Sequence, residues 1–231
     1  MKIDILTMFP KMFCGPFSES LIGKASKKKI VDISIIDIKS FSKNKHKKVD
    51  DRPFGVGVGM IISPEPLYDA MESIGAIGDN GNDVRPHIVY MSPQGRVLNN
   101  EIVINISKFK RLVVICGHYE GIDERIMNYV DDEISIGDYI LTGGEIPAIA
   151  LTDAVVRVIP GVVNKFDSIK NDSFYNGLLD YPHYTRPAIF KKYSVPKVLL
   201  SGNHKKINEW CKKKSYERTK RRRPDLLKKI Q

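Results

Sequence analysis

The sequence lacks the features that mark membrane and exported proteins. Its 231 residues contain no apolar run of about 18 residues, the length that a transmembrane helix needs. The N-terminus also has no apolar segment followed by a signal-peptide cleavage site. We therefore expect a soluble, cytoplasmic protein without a membrane partner.

Cysteine is scarce as well. Cys14, Cys116 and Cys211 lie far apart and form no CxxC pair, which argues against a disulfide framework and against a zinc site. We expect all three to be packing residues. A nucleophilic Cys116 is conceivable because His118 is close in sequence, but the apolar strand around Cys116 favours a place in the core.

Two phosphate-binding motifs are missing from the sequence. No GxGxxG follows a predicted strand, and no GxxxxGK[ST] occurs anywhere. Dinucleotide-binding and P-loop functions therefore lose their main support.

The apolar pattern that is present predicts strands alternating with helices. The predicted strands are Ile3–Met8, Val31–Ile38, Ile88–Met91 and Leu112–Cys116, and the predicted helices are Pro66–Ile74, Asn99–Lys108, Ile122–Tyr129 and Ala148–Val158. Such alternation is typical of an α/β fold with a mostly parallel sheet that is covered on both faces.

Composition divides the chain into three parts. Residues 1–160 carry the strand and helix pattern, residues 161–172 are polar, small and aperiodic, and residues 173–231 are basic. We predict a ligand-binding domain, an interdomain linker and a small, mainly helical domain.

Two glycine-bearing turns are the most informative feature. Gly117–Gly121 follows a predicted strand, and Ser135–Pro147 contains paired glycines before a predicted helix. Glycine at a strand end lets a ligand approach the backbone. We therefore predict that the two turns form walls of one ligand site.

The positive charge of the chain is concentrated at its C-terminal end. Residues 191–231 hold 15 lysines and arginines against three acidic residues, a net charge of +12, whereas residues 1–190 carry −2. Single lysines can simply be solvated, but the asymmetry as a whole favours an RNA partner. The predicted RNA-binding residues of this tail include Lys212, Lys213, Arg221 and Arg222, and the basic cluster at residues 39–48 is a second candidate for phosphate contacts.

Several short segments, taken together, resemble the bacterial tRNA (guanine-N1)-methyltransferases of the knotted SPOUT class. Besides the two glycine turns, they are Phe9–Phe13, Val49–Gly55, Tyr90–Arg96, Arg157–Val162, Asp172–Phe174 and Gly177–Pro187. Their order and spacing cover nearly the whole chain. One departure is Val56, at which the family pattern has a further glycine.

The resemblance implies a trefoil-knotted α/β domain that binds S-adenosylmethionine, the methyl donor, at the end of the sheet. The implied donor-binding residues are Tyr90, Met91, Ser92, Pro93, Gln94, Gly117, Glu120, Ser135, Ile136, Gly137, Tyr139, Leu141, Gly143, Gly144 and Pro147. For Glu120, a helix cap is a compatible alternative. Hydrophobic residues such as Tyr139, Leu141 and Pro147 are at such spacing more often part of a core.

The reaction implied by the resemblance is methylation of a tRNA guanosine at N1, immediately 3′ of the anticodon. Guanine N1 carries a proton at neutral pH, so a base must remove it. The resemblance assigns Asp172 as this base and Arg157 as the nearby cation. From the residues alone, Asp172 is equally plausible as a helix N-cap.

The resemblance also implies a homodimer whose active site uses both subunits, with tRNA and not DNA as the nucleic acid. Asp50 and Arg52 are candidate RNA contacts, although a salt-bridged loop would explain them too. His183 and Arg186 lie in a proline-containing turn that is either structural or RNA-contacting. A requirement for Mg²⁺ is compatible with the resemblance, but no carboxylate cluster has ligand spacing, so we assign no metal ligands.

Two other functions stay open at this point. A methyltransferase of the same class could act on ribosomal RNA or on ribose hydroxyls, with Asp172 as a cap. A non-enzymatic RNA-binding protein would use the glycine turns only to form its fold.

Overall fold

The computed structural model describes residues 1–55, 58–78, 85–163 and 172–228. Val56 and most of the predicted linker, residues 161–172, lie outside the described residues. The chain divides into two compact units, Met1–Asn164 and Lys165–Gln231. The finer division at residues 160 and 172 stays a prediction.

A parallel sheet lies at the centre of the first unit. The strands of this unit are β1 (Lys2–Thr7), β2 (Asp32–Asp37), β3 (Asp50–Asp51), β4 (Ile61–Ile62), β5 (His87–Val97), β6 (Arg111–Cys116) and β7 (Asp132–Ser135). Five of them form the sheet in the order β2-β1-β6-β5-β7, and every neighbouring pair is parallel. β3 and β4 form a separate antiparallel pair.

Helices cover this sheet. They are α1 (Cys14–Ser18), α2 (Ser20–Lys27), α3 (Pro64–Ser73), α4 (Asn100–Ile106) and α5 (Glu145–Val158), with 3₁₀ helices at Pro10–Phe13, Ile38–Phe41 and Glu124–Tyr129. The start of α4 is fixed by Asn99, whose side-chain oxygen accepts a hydrogen bond from the backbone N–H of Ile102 at 3.1 Å.

The hydrophobic core lies in two layers, one on each face of the sheet. Leu112 and Val114 of β6 pack into the layer formed with α2, α4 and α5. The alternate residues Val113 and Ile115 pack into the layer formed with α3. Successive strand residues point to opposite faces, so the continuous apolar run of β6 serves both layers. The predicted α/β fold with a doubly covered parallel sheet is confirmed.

Some predicted elements differ from the structure. The predicted helix Ile122–Tyr129 is a 3₁₀ helix of six residues that begins only at Glu124, because the Asp123 side chain accepts the N–H of Arg125 there. β7 was not predicted because its sequence, Asp-Glu-Ile-Ser, is short and polar. α1 and α2 were not predicted either.

The second unit is mainly helical in its described part. It contains a small hairpin, β8 (Ile189–Phe190) with β9 (Tyr193–Ser194), followed by α6 (Lys197–Leu200), α7 (His204–Arg222) and α8 (Pro224–Leu227). Two hydrogen bonds join the turn segment before the hairpin to α7. The N–H of Leu179 donates to the hydroxyl of buried Thr219 at 2.9 Å, and Arg218 donates to the carbonyl of Asp180 at 3.1 Å.

Within the described residues, no helix is long and apolar enough to cross a membrane.

A buried ion pair connects two neighbouring strands of the sheet and yields a testable prediction. Asp4, 1% exposed, accepts two hydrogen bonds from Arg111 at 3.0 and 2.9 Å. Arg111 also donates to the carbonyl of Gly75. We expect Asp4→Ala to lower the free energy of unfolding by about 3–5 kcal/mol, because it leaves the Arg111 charge without its counter-ion.

Denaturant unfolding of single and double variants measures this effect. The double variant Asp4→Ala/Arg111→Met removes both charges and should recover a large part of the loss. Equal losses in the single and double variants would contradict a coupled pair.

Candidate ligand cavity

A cavity of about 550 Å³ lies at the carboxyl ends of β5, β6 and β7 in the first unit. Most of its wall comes from three segments, namely residues 90–94 of β5, residues 117–122 after β6, and residues 133–137 and 139–144 in and after β7. Glu124, Met127 and Pro147 complete it. Parallel sheets place their ligand sites at this end because the loops after neighbouring strands converge there.

The two glycine turns are hydrogen-bonded to each other. The N–H of Gly144 donates to the carbonyl of Gly117 at 2.7 Å, and His118 forms a β-bridge with Gly143. A Cβ atom on Gly144 would lie 2.8 Å from both the Cα of Cys116 and the N of Gly117. Only glycine permits this approach, because the opposing atoms are backbone that cannot rotate away.

The third wall is a bulge within β5. Met91 and Arg96 both stand opposite Ile134 of β7, so residues 92–95 are extra residues on the β5 side of the pair. The Ser92 hydroxyl accepts the N–H of Gln94 at 3.1 Å and supports the bulge. The predicted strand Ile88–Met91 is confirmed but extends to Val97, because β7 supplies pairing that the sequence does not reveal.

The Tyr90 side chain packs against Gly117 of the first glycine turn. Its side chain is 7% exposed, and a Cβ on Gly117 would lie 2.6 Å from its hydroxyl oxygen. Burial, followed by the nearby charge of Glu133, raises the pKa of Tyr90 to about 12. The hydroxyl is therefore neutral at physiological pH.

The charge of the cavity wall is one-sided. Glu120, Glu124 and Glu133 line it, whereas no lysine or arginine does so among the described residues. A fourth carboxylate, that of Glu145, is 2% exposed behind Gly143 and accepts a hydrogen bond from the Thr7 hydroxyl at 2.8 Å. Such a wall favours a cationic ligand and disfavours phosphate groups.

The comparisons with known proteins agree with a ligand-binding enzyme. The model of the family described as tRNA (Guanine-1)-methyltransferase TrmD matches residues 1–229. The chain belongs to this family. The resemblance inferred from the sequence is thus confirmed, and membership in this family of methyltransferases implies the SPOUT class of fold.

Several bacterial proteins named tRNA (guanine-N(1)-)-methyltransferase are similar to the chain. The protein from Endomicrobium trichonymphae is 65% identical, over 99% of this chain and 100% of its own length. The protein from Fusobacterium nucleatum subsp. nucleatum is 53% identical, over 98% and 91% of the two chains. The protein from Ruminiclostridium cellulolyticum is 49% identical, over 100% and 97%.

The structure brings together all the donor-binding residues that the family resemblance implied. Each of them lines the cavity: Tyr90, Met91, Ser92, Pro93, Gln94, Gly117, Glu120, Ser135, Ile136, Gly137, Tyr139, Leu141, Gly143, Gly144 and Pro147. Their role in binding stays a prediction. Sequence reasoning missed further wall residues, among them His118, Glu124, Met127, Glu133 and Ile140. His118 could have been predicted as a wall residue, because it lies inside the first glycine turn.

His118 presents an unsatisfied polar atom near the paired turns. Its Nδ1 is buried and has no hydrogen-bond partner in the described part of the chain. The ring stands between two aromatic side chains, with centroids 5.0 Å from Phe9 and 4.8 Å from Tyr119. An orphaned buried nitrogen at a cavity wall is a polar group that the protein itself does not use.

The two predicted catalytic residues of the methyltransferase lie in different units. Arg157 is half-buried in the last turn of α5, in the first unit. Asp172 is in the second unit, and turns, not a helix, follow it. The N-cap alternative for Asp172 is therefore wrong. The cap alternative for Glu120 is wrong as well, because Asp123 caps the 3₁₀ helix that follows.

The cysteines of the methyltransferase differ in exposure. Cys116 is buried in the core as predicted, and burial, together with the charge of Glu145, raises its pKa well above the usual range. A nucleophilic role is thus unsupported, because the thiolate is disfavoured. Cys14 is exposed, so its prediction as a packing residue is wrong, because it begins a short helix that buries none of its residues.

The predicted RNA contacts of the methyltransferase lie on the surface or near it. Asp50, in β3, is half-buried, and Arg52 is exposed; no ion pair joins these two described residues. In the second unit, all the predicted RNA contacts are exposed, namely His183, Arg186, Lys212, Lys213, Arg221 and Arg222. His183 is held by Asp180, whose carboxylate lies 2.7 Å from Nε2. In the described ranges, no group of three or more metal-ligating side chains is present.

The close contact between the glycine turns predicts a strong effect of one added methyl group. Gly144→Ala should lower the free energy of unfolding by about 1–3 kcal/mol, since the new Cβ meets fixed backbone. Gly15→Ala is the matched control, because a Cβ there meets nothing within 4 Å and alanine is favoured in a helix. Thermal and denaturant unfolding compare the two, and equal stability of both variants would refute the close approach.

The different exposure of the cysteines predicts different rates of alkylation, which test whether β6 is buried in the core. On treatment of the native protein with iodoacetamide at mildly alkaline pH, exposed Cys14 should be alkylated fastest and buried Cys116 should stay unmodified. Peptide mass spectrometry against time follows each residue. Modification of Cys116 at the rate of Cys14 would contradict the placement of β6 in the core.

Proposed function

We propose that the chain transfers a methyl group from S-adenosylmethionine to N1 of the tRNA guanosine immediately 3′ of the anticodon. Membership in the family and the names of its relatives support guanine methylation in tRNA. The observation that carries the proposal is the acidic, glycine-walled cavity at the end of the parallel sheet.

The cavity suits S-adenosylmethionine in charge and in size. The donor carries a sulfonium and an ammonium against one carboxylate, so its net charge is positive and matches a wall with Glu120, Glu124 and Glu133. A volume of about 550 Å³ lies in the range of small-molecule sites. The glycine turns let such a ligand approach the backbone.

The wall residues divide by chemistry into an apolar and a polar group. Tyr139, Leu141 and Pro147 offer apolar surface to the adenine, and Glu120 offers acceptors to the ribose or amino group. The neutral Tyr90 hydroxyl and the backbone of the two glycine turns complete the polar part.

In the proposed reaction, Asp172 removes a proton from the guanine and Arg157 stabilises the negative charge that develops on it. The donor's sulfonium supplies the methyl group, which leaves sulfur and bonds to guanine N1. The Asp172 carboxylate takes the N1 proton at the same time, because N1 is protonated at neutral pH. Negative charge that develops on guanine O6 is stabilised by a cation, and we assign this role to Arg157.

The active form in this proposal is a homodimer with a trefoil knot in each first unit. Asp172 would reach the cavity across the subunit interface. Exposed apolar side chains around the cavity support such an interface, since Tyr139 is 54%, Ile140 78% and Ile146 49% exposed. Two-fold dimers are the commonest closed assemblies.

The basic second unit binds the tRNA backbone in this account. Lys212, Lys213, Arg221 and Arg222 are exposed on α7 and at its end, so phosphates can reach them. Affinity for tRNA should therefore fall steeply with salt.

The experiment that tests this function measures transfer of a labelled methyl group to two transcripts of one tRNA. One transcript carries guanosine immediately 3′ of the anticodon and the other carries adenosine. We expect transfer only to the guanosine transcript. Asp172→Asn should lower the rate by about 10²–10⁴-fold, because the base is lost, while the affinity for S-adenosylmethionine stays unchanged.

Donor binding, measured by calorimetry, is the control in this experiment. Transfer to both transcripts, or full activity of Asp172→Asn, would contradict the proposed reaction. Intact donor binding without transfer to either transcript would mean that another RNA is the substrate. The absence of donor binding would instead favour a non-enzymatic RNA-binding protein.

A further inference from the structure

The hairpin of the second unit exposes large apolar side chains on both of its strands. Ile189 is 68%, Phe190 62% and Tyr193 66% exposed, and Leu200 of the following helix is 61% exposed. A two-stranded hairpin that buries so little of its own surface is only marginally stable alone. An exposed apolar patch of this kind marks an interaction site.

Lysines accompany the aromatic rings of this hairpin. The Nζ of Lys191 lies 5.7 Å from the ring centroid of Phe190, and the Nζ of Lys192 lies 5.6 Å from that of Tyr193. The combination of exposed aromatic rings and adjacent cations is typical of surfaces on which nucleic-acid bases stack while phosphates are neutralised.

A second cavity adjoins the base of the hairpin. It has a volume of about 420 Å³, and Ala188 and Val195, which lie in its wall, are joined by a hydrogen bond of 2.9 Å from Val195 N–H to the Ala188 carbonyl. Tyr184 and Arg186 contribute an aromatic ring and a guanidinium to the same wall. The hairpin and the cavity are thus parts of one continuous surface.

The charge of the surrounding sequence identifies the partner as an anion. Residues 181–208, which include the hairpin, the cavity wall and the start of α7, contain six lysines and arginines and no aspartate or glutamate. A protein partner would have to be acidic to match this charge. A polyanion with flat, apolar faces satisfies both the charge and the exposed rings.

We propose that this hairpin surface binds unpaired RNA nucleotides. It is defined by Tyr184, Arg186, Phe190, Lys191, Lys192 and Tyr193. The bases stack on Phe190 and Tyr193, and the adjoining cavity takes one base beside Tyr184 and Arg186. Paired RNA presents its base faces only at helix ends, so the surface selects single-stranded segments. The inference rests on the proposed function in one respect, which is that the substrate is an RNA.

The test compares two double variants that keep the apolar character and the charge of the hairpin. Phe190→Leu/Tyr193→Leu removes both rings, whereas Phe190→Tyr/Tyr193→Phe retains them. The probe is a fluorescein-labelled oligouridylate of ten nucleotides, with a ten-base-pair RNA duplex as its paired counterpart. Anisotropy is read at 0.15 and 0.3 M salt, because phosphate contacts weaken at the higher concentration.

For single strands, the leucine variant should bind at least about ten-fold more weakly than the unchanged protein, since it loses base stacking. The exchanged variant should stay within about two-fold. Duplex binding should be the same in all three proteins. Because the replaced side chains are exposed, both variants should keep the unchanged thermal unfolding midpoint.

Three results would overturn the inference. One is unchanged oligouridylate affinity in the leucine variant. Another is an equal loss of affinity for single strands and duplex. The last is a change of oligomeric state in sedimentation with no change in RNA affinity, which would make the hairpin surface a protein interface.

Failure of the proposed reaction can be told apart from failure of this inference. If neither tRNA transcript is methylated but the oligouridylate result holds, the reaction assignment fails and the hairpin surface stands. If the guanosine transcript is methylated and the leucine variant keeps both the unchanged KM for tRNA and the oligouridylate affinity, the reaction stands and the inference fails. A rise in KM with unchanged kcat in the leucine variant supports both.

Discussion

The backbone contact between the two glycine turns is the constraint on which the site depends. A hydrogen bond of 2.7 Å from Gly144 to Gly117 joins the loops after β7 and β6, and neither position can carry a side chain without moving backbone or Tyr90. Both glycines line the cavity, and so do residues 92–94 of the bulge in β5. The ligand site is therefore a consequence of strand order, because β5 lies between β6 and β7 and the segments in or after the three strands meet at one end of the sheet.

The two units of the chain differ in the charge that they present. The first unit presents carboxylates at its cavity, and the second presents lysines and arginines on exposed helix and hairpin surfaces. A cationic methyl donor and a polyanionic RNA need opposite electrostatic surroundings, so one uniform surface could not serve both. Asp172, the proposed base, fits this division, because it belongs to the unit for which we propose RNA binding and not to the unit with the proposed donor cavity.

The sequence predicted the fold better than it predicted the details of the site. Val- and Ile-rich runs such as that of β6 predicted buried strands, because few other elements tolerate short, β-branched apolar segments. The family motifs predicted the wall residues that lie in glycine turns. The bulge at residues 92–95 and the wall position of Glu133 were missed, because both depend on pairing with the short, polar β7, which has no strong signal of its own. Local sequence patterns therefore do not predict features that depend on pairing between segments that are distant in the chain.

Amide hydrogen exchange with and without S-adenosylmethionine shows whether the two glycine turns form one donor site, because it observes each loop of the cavity without requiring turnover. We expect the donor to slow exchange at residues 117–122 and 135–144 together, with saturation at one donor concentration. The amides of α7 should be unaffected. Protection of only one glycine turn, or protection centred outside the cavity, would contradict a single donor site formed by the paired turns.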